Sequence, residues 1–482
     1  MRRGSRIEDV EPAAKNTDLE HERELFPLTR VSHTQSTAEP ESSALTVLPA
    51  LGLLDVAHDY ASGVFGRNTL STRYFLLFAT TGCEKSWLRT ARGIWYRSIP
   101  LLFCLSLSVL AQDPPEKRVM EGQQAIYRLD FERAAAVFHR LSLDYPASPV
   151  GPGMESTVKW NVLLFAAKNL TLDDYATPTP FTRARTYKPV DRELKDFLES
   201  NTQLLDFCGD LLKKNPRDIM ALYFRGMAYE NAAAEALAIR RRSGEARALG
   251  KKAKNLHQKV LALDPEFVDA NTSIAVYEFA AATLPWSLKW LAFLLGVRGD
   301  KSRALRRLEL VSQRGLYRRL DAQVIRALLQ AWKGDPRQAA AIFEQLREQF
   351  PENFLLDINL AAIYENLLKE RKSALRIYQN LLLNYSRKAA GLQKGEIYYR
   401  IGRVYIALGE YTLALKAFER ALNTPRGELE TEPLSYFHIA RIHETRGESE
   451  LARSAYGRML LYQGPRGGLT KQLKEARRKL KH

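Results

Sequence analysis

One pattern recurs eight times along this chain and constrains its fold more than anything else in it. A small or apolar residue is followed at plus 4 and plus 7 by apolar residues, and often at plus 12 by proline. The copies with the proline are Ala134, Phe138, Leu141, Pro146; Leu204, Cys208, Leu211, Pro216; Ala253, His257, Val260, Pro265; and Ala339, Phe343, Leu346, Pro351. Those without it start at Ala304, Ala374, Ala414 and Ala452. Plus 4 and plus 7 share one face of an α-helix, and the proline ends that helix. Each copy is therefore the second helix, B, of a hairpin. The first helix, A, is clearest at Tyr398, Ile401, Gly402 and Tyr405, followed by Gly409 and Tyr411. Gly402 is small where two helices cross, and Gly409 can take the positive φ that closes a helix. Arg118, Gly122, Ala125 and Phe131 follow the same offsets, as do Leu222, Gly226 and Tyr229, and more loosely Tyr436, Ala440, His443 and Gly447. An all-α stack of hairpins follows, each burying its apolar face on its neighbours.

Over residues 115 to 466 the pattern resembles the tetratricopeptide repeat (TPR) family, with large, small and aromatic positions on helix A and Ala, aromatic, Ala, Pro on helix B. The resemblance implies a right-handed superhelix of helical hairpins and a non-enzymatic scaffold that takes a protein or peptide in a concave groove lined by helix A. It implies no cofactor and no small-molecule substrate. It also places Tyr399 and Arg403, and then Phe437 and Arg441, at groove-facing positions as possible ligand contacts. An aromatic stem with an arginine one turn later suits an acidic or C-terminal carboxylate, which guanidinium binds bidentately. The other reading is an exposed arginine covering its neighbour. The family's Lys and Asn carboxylate clamp is not reproduced.

The helix B anchors at 134, 204, 253 and 304 are spaced more widely than one family unit. The widest gap reads as two units, predicting a degenerate hairpin between Gly153 and Thr202, with a helix over Trp160 to Leu170 and a loop over Thr177 to Pro189. The next two gaps hold insertions at about 232–252 and 283–299, which in a solenoid fall on one face. The first is alanine-rich and runs into Arg240, Arg241 and Arg242. The second reads Leu-Pro-Trp-Ser-Leu-Lys-Trp-Leu-Ala-Phe-Leu-Leu-Gly and leads into a basic flank. Trp286 and Trp290 with Arg298 and Arg303 suit a helix lying in a membrane interface. Alternatively, the segment fills the groove of its own superhelix.

Residues 1–87 read as a disordered or mis-annotated extension with little helical period. Residues 88–111 read as a signal peptide or short membrane anchor. Arg89, Arg92 and Arg97 precede an apolar run from Ile99 to Leu110, and cleavage between Ala111 and Gln112 fits the small-residue pattern. A buried core helix is the remaining alternative. The expected location is exported, periplasmic or membrane-associated in a bacterial envelope, or cytoplasmic if the apolar stretch is not a signal.

All of the formal net charge of +17 lies beyond residue 111. It concentrates in Arg240 to Lys259, Arg298 to Arg319 and the stretch after Gly464, where 467–482 reads as a basic C-terminal helix. Such segments are either solvated helix faces or an adaptor to an anionic lipid or envelope polymer. Export would disfavour nucleic acid. A non-catalytic subunit of an enzyme complex is a further alternative. Three cysteines exclude a disulfide framework. No catalytic motif is found: HExxH, phosphate loop, GxSxG and CxxC are all absent, and the eight histidines are scattered. His257 and Cys208 sit in the aromatic slot of helix B, where packing explains them. No catalytic, metal or cofactor residue is assigned.

Overall fold

A computed structural model describes residues 114–167, 190–283, 299–384, 394–424, 431–463 and 469–481. The extension, the signal-like stretch with Ala111 and Gln112, the loop Thr177 to Pro189, and Trp286, Trp290 and Arg298 lie outside them. All described residues belong to one compact unit, Asp113–His482.

Among the described residues there are seventeen α-helices and no strand. Eight hairpins follow in chain order. α1 (Pro115–Tyr127) pairs with α2 (Phe131–Asp144), α3 (Val150–Ala166) with α4 (Asp191–Lys214), α5 (Ile219–Ala238) with α6 (Ser243–Leu263) and α7 (Asn271–Ala282) with α8 (Lys301–Arg314). Next α9 (Arg319–Lys333) pairs with α10 (Pro336–Gln349), α11 (Phe354–Ala362) with α12 (Arg371–Leu383), α13 (Lys394–Leu408) with α14 (Tyr411–Asn423) and α15 (Thr431–Thr445) with α16 (Ser449–Leu460). α17 (Thr470–Lys481) closes the end, burying Leu473 and Ala476 against the last hairpin. The fold is the helical-hairpin solenoid that the spacing predicts. One detail differs. The wide gap before Leu204 is not two units, because α4, which carries Leu204 and Cys208, is itself the partner of α3. Most helix B elements begin three residues before their anchor, but α4 begins at Asp191, thirteen before Leu204, and so takes up about ten residues of the excess as helix.

Why these helices pair is visible at the anchors. Ala134, Ala304, Ala339, Ala374 and Ala414 are completely buried, as are the rings four residues on, Phe138, Phe343, Tyr378 and Phe418. Each ring needs a small residue opposite it on helix A. A Cβ on Gly122 would lie 2.2 Å from Phe138, one on Gly402 2.6 Å from Phe418, and one on Gly226 2.4 Å from His257. Gly402→Ala is therefore expected to lower unfolding stability by about 1–3 kcal/mol, the usual range for overpacking. Chemical denaturation checks this, and a neutral result would mean that the Phe418 ring moves freely.

The A-to-B turns are just as regular. A residue of positive φ stands five before the helix B anchor at Leu129 (63°), Lys369 (61°), Gly409 (81°) and Gly447 (74°). Asp130, Asp300 and Asp335 then cap α2, α8 and α10, each accepting a backbone N–H from the first turn at 2.8–3.0 Å. In the sixth hairpin helix A ends in a π turn, Ile363–Leu367, which brings Glu365 inward to 8% exposure.

The first half of the solenoid also closes on itself. The turn after α8 enters the interior, where Asp269 accepts the backbone N–H groups of Leu316, Tyr317 and Arg318 at 2.8–3.0 Å. Burial pushes the Asp269 carboxyl up, against the pull of those three donors. Tyr317 packs among Tyr223, Phe224 and Phe267. The Arg318 guanidinium meets Glu230 at 2.7 Å and Asp321 at 3.0 Å. From the far end, α1 reaches the same place: Gln123 donates to the Leu316 carbonyl at 2.7 Å and Tyr127 to Asp321 at 2.9 Å. Asn353 in turn donates to the Tyr127 carbonyl at 2.8 Å, and Phe165 packs edge-on against Phe354. The first two hairpins thus rest on the fifth and sixth.

Candidate functional site

With the interior of hairpins 1 to 5 occupied by the chain's own side chains, the remaining candidate surface runs along the A helices of the last three hairpins. Tyr399 and Arg403 lie one turn apart on α13 and both are half-buried. Arg403 donates to Glu365 at 2.8 Å, bridging from α13 to the π turn after α11, and Tyr378 also donates to Glu365. Arg441, the equivalent of Arg403 on α15, is exposed at 58% and stands 3.7 Å from Glu475 of α17. Phe437 does not join this surface. It is buried in the terminal core against Tyr456.

The residue beside Tyr399 is instead His438. Its ring stacks on Phe418 with centroids 5.3 Å apart and 8° between planes, and its Nε2 is 3.4 Å from the Tyr399 hydroxyl. Burial, reinforced by the positive charges of Arg403 and Arg441, pulls its pKa down to about 4, so the ring is neutral at neutral pH. The result is a strip across three repeats in which Arg403 and Arg441 flank Tyr399 and His438, each arginine backed by a carboxylate, the buried Glu365 and Glu475. Sequence spacing finds Tyr399, Arg403 and Arg441. It misses His438, whose position one residue past an aromatic carries no repeat signature, and Glu365, which reaches the strip only through the π turn.

The other polar residues picked out by the sequence are packing groups. His257 is buried, stacked on Tyr223, with Nε2 3.0 Å from the Tyr223 carbonyl and Nδ1 2.5 Å from Ser273 Oγ. A carbonyl only accepts, so Nε2 carries the proton and Nδ1 accepts from the serine. Cys208 is buried and its thiol is pushed up to about 12 by burial, leaving it a small hydrophobe. Among the described residues no group of three or more His, Cys, Asp or Glu is placed to hold a metal ion. No helix among them is long and apolar enough to cross a membrane. Arg303, from the expected membrane-interface set, is exposed in the first turn of α8 with Nε 3.1 Å from Glu278.

Two stretches match tetratricopeptide repeat family models, residues 321–353 and 395–425, which are the fifth and seventh hairpins. No curated protein matches the chain. Among solved structures the chain is similar to a tetratricopeptide repeat protein from Parabacteroides merdae at 14% identity, covering 67% of this chain and 98% of that one with a TM-score of 0.29. It is similar to human IFIT1, solved as a dimer with PPP-AAAA, at 14% identity, 77% and 73% coverage and a TM-score of 0.37. Yeast Tom70 is similar at 11% identity, 78% and 90% coverage and a TM-score of 0.33.

Proposed function

We propose that this tetratricopeptide-repeat chain is a non-enzymatic scaffold that holds an acidic protein segment along the A helices of its last three hairpins. The observation that carries this reading is the strip from Glu365 to Glu475. Its two arginines stand at equivalent positions of successive repeats, each aimed by a carboxylate of its own chain, with Tyr399 and His438 between them. A partner carboxylate meeting Arg441 makes a charge-assisted bond without first ordering the side chain, since Glu475 already holds it near its place. The same proposal puts the protein in the bacterial cell envelope, with residues 88–111 as its export signal.

A photo-crosslinking residue at Tyr399, compared with one at the exposed Lys416 of α14, tests the surface. Adducts at 399 from an Asp- and Glu-rich segment, weakened by Arg441→Glu, are expected. Adducts only at 416, or indifference to Arg441→Glu, would remove the reading. The N-terminal residue of the protein from its native host tests the location: Gln112 is expected, and an intact Met1 would overturn export.

A further inference from the structure

His438 stands where a bound carboxylate would be felt most strongly. Its ring lies half-buried on Phe418 and beside the Tyr399 hydroxyl, with an arginine of the strip on either side. α13 brings Arg403 and the Tyr399 phenol to it, α15 itself brings Arg441, and α14 brings the uncharged Phe418 ring. The carboxylates of the surrounding elements are engaged elsewhere. Glu365 of the π turn holds Arg403, and Glu475 of α17 stands against Arg441. Glu444 of α15 accepts from Tyr456 of α16 at 3.1 Å and meets Lys479 of α17 at 2.8 Å. His443, the other histidine of α15, is tied to Glu448 at 2.5 Å. The two charges that act on the His438 ring are therefore both positive.

We propose that the strip takes up its acidic segment together with a proton on His438, so that binding tightens as the pH falls. This inference rests on the acidic-segment reading and adds a regulator to it. In the free chain an imidazolium at this place would be a third cation beside two arginines, half out of water and without an anion. Burial first and the arginines second keep the ring neutral, with a pKa near 4. A partner carboxylate landing on Arg403 or Arg441 offsets their charge and supplies the missing anion. An opposite charge within about 4–6 Å favours the charged form, so the pKa of the ring rises toward the ordinary histidine value of about 6.5.

Linkage fixes the consequence. The factor by which the segment strengthens proton binding is the factor by which the proton strengthens segment binding. Because the ring gains a proton in the complex, affinity is level above pH ~6.5 and grows as the pH falls from there toward the free value. A neutral segment on the same surface would only bury the ring further and gain nothing from acid. His438 thus makes the strip selective for carboxylates in proportion to acidity.

The test is titration calorimetry of the full chain with a capped poly-aspartate peptide, at about pH 7 and about pH 5, where aspartate with its ordinary pKa of about 3.9 stays ionised. Each pH is run in two buffers of different ionisation enthalpy, so that the heats count the protons taken up. The parent is expected to bind roughly tenfold tighter at the lower pH, with net proton uptake. His438→Phe, which keeps a ring on Phe418, and His438→Gln are both expected to lose that gain, whereas His443→Gln keeps it. Helicity and melting of the three variants confirm that they fold. The same gain in His438→Phe as in the parent, its loss in His443→Gln, or equal parent affinity at the two pH values would overturn the inference and leave the acidic-segment reading standing. Absence of peptide binding at both pH values would remove the reading and the inference together.

Discussion

Replacing Arg318 by methionine is expected to lower unfolding stability by roughly 3–5 kcal/mol, the cost of stripping one partner from a buried ion pair. Arg318 is 6% exposed and is the cation shared by Glu230 and Asp321, so methionine leaves two carboxylates facing an apolar chain. The triple variant Arg318→Met, Glu230→Gln, Asp321→Asn is expected to recover much of the loss, because the penalty lies in the unpaired charges and not in the missing attraction. Equilibrium denaturation of the set decides the matter. A single-variant loss under about 1 kcal/mol would mean that water already reaches the cluster and that the ring closure does not depend on it. Hydrogen exchange adds the location. Protection in α1 should fall with the stability, since Tyr127 and Gln123 hold the same cluster from the far side.

The second large effect is one of pH. His438 has a folded-state pKa of about 4, below that of an unfolded histidine, so protonation favours unfolding. Its contribution is complete above pH ~6.5 and is lost as the pH falls through the folded value, and the shift corresponds to roughly 3 kcal/mol between pH 7 and pH 4. His257, also depressed by burial, acts in the same direction. His438→Phe isolates the first contribution, since phenylalanine can keep the stack on Phe418 but cannot charge. The variant is expected to lose less stability on acidification than the parent by about that amount. Parallel pH curves would show that the ring is hydrated when protonated and that the neighbouring arginines do not matter to it.

Much of the solenoid is legible in the sequence because its determinants are local. The anchors and rings of helix B, the glycines opposite Phe138 and Phe418, and the positive φ of Gly409 and Gly447 follow from short-range periodicity. Where another residue replaces the expected type, the signal fades. Leu129 and Lys369 take the turn conformation without being glycine, and His257 takes the place of an aromatic ring. The gap before Leu204 misleads because an arithmetic multiple of the repeat length does not distinguish an extra hairpin from a longer helix. The closure of hairpins 1 and 2 onto 5 and 6 has no periodic signature. It depends on Asp269, Tyr317 and Arg318, ordinary turn residues until they meet a helix nearly two hundred positions away. The strip is half legible for a related reason: Arg403 and Arg441 repeat, while Glu365 and His438 do not.

The bond from Asn353 to the Tyr127 carbonyl spans 226 residues, and that distance has a temporal meaning. In most solenoids each repeat is completed by its immediate neighbours alone. Here the first repeat keeps one side uncovered until the fifth and sixth hairpins have also formed, because Gln123, Tyr127 and the Tyr127 carbonyl find their partners only there. During that interval α1 and α3 present apolar surface to whatever is nearby. The early hairpins are thus held in place by the chain's middle as much as by their own neighbours.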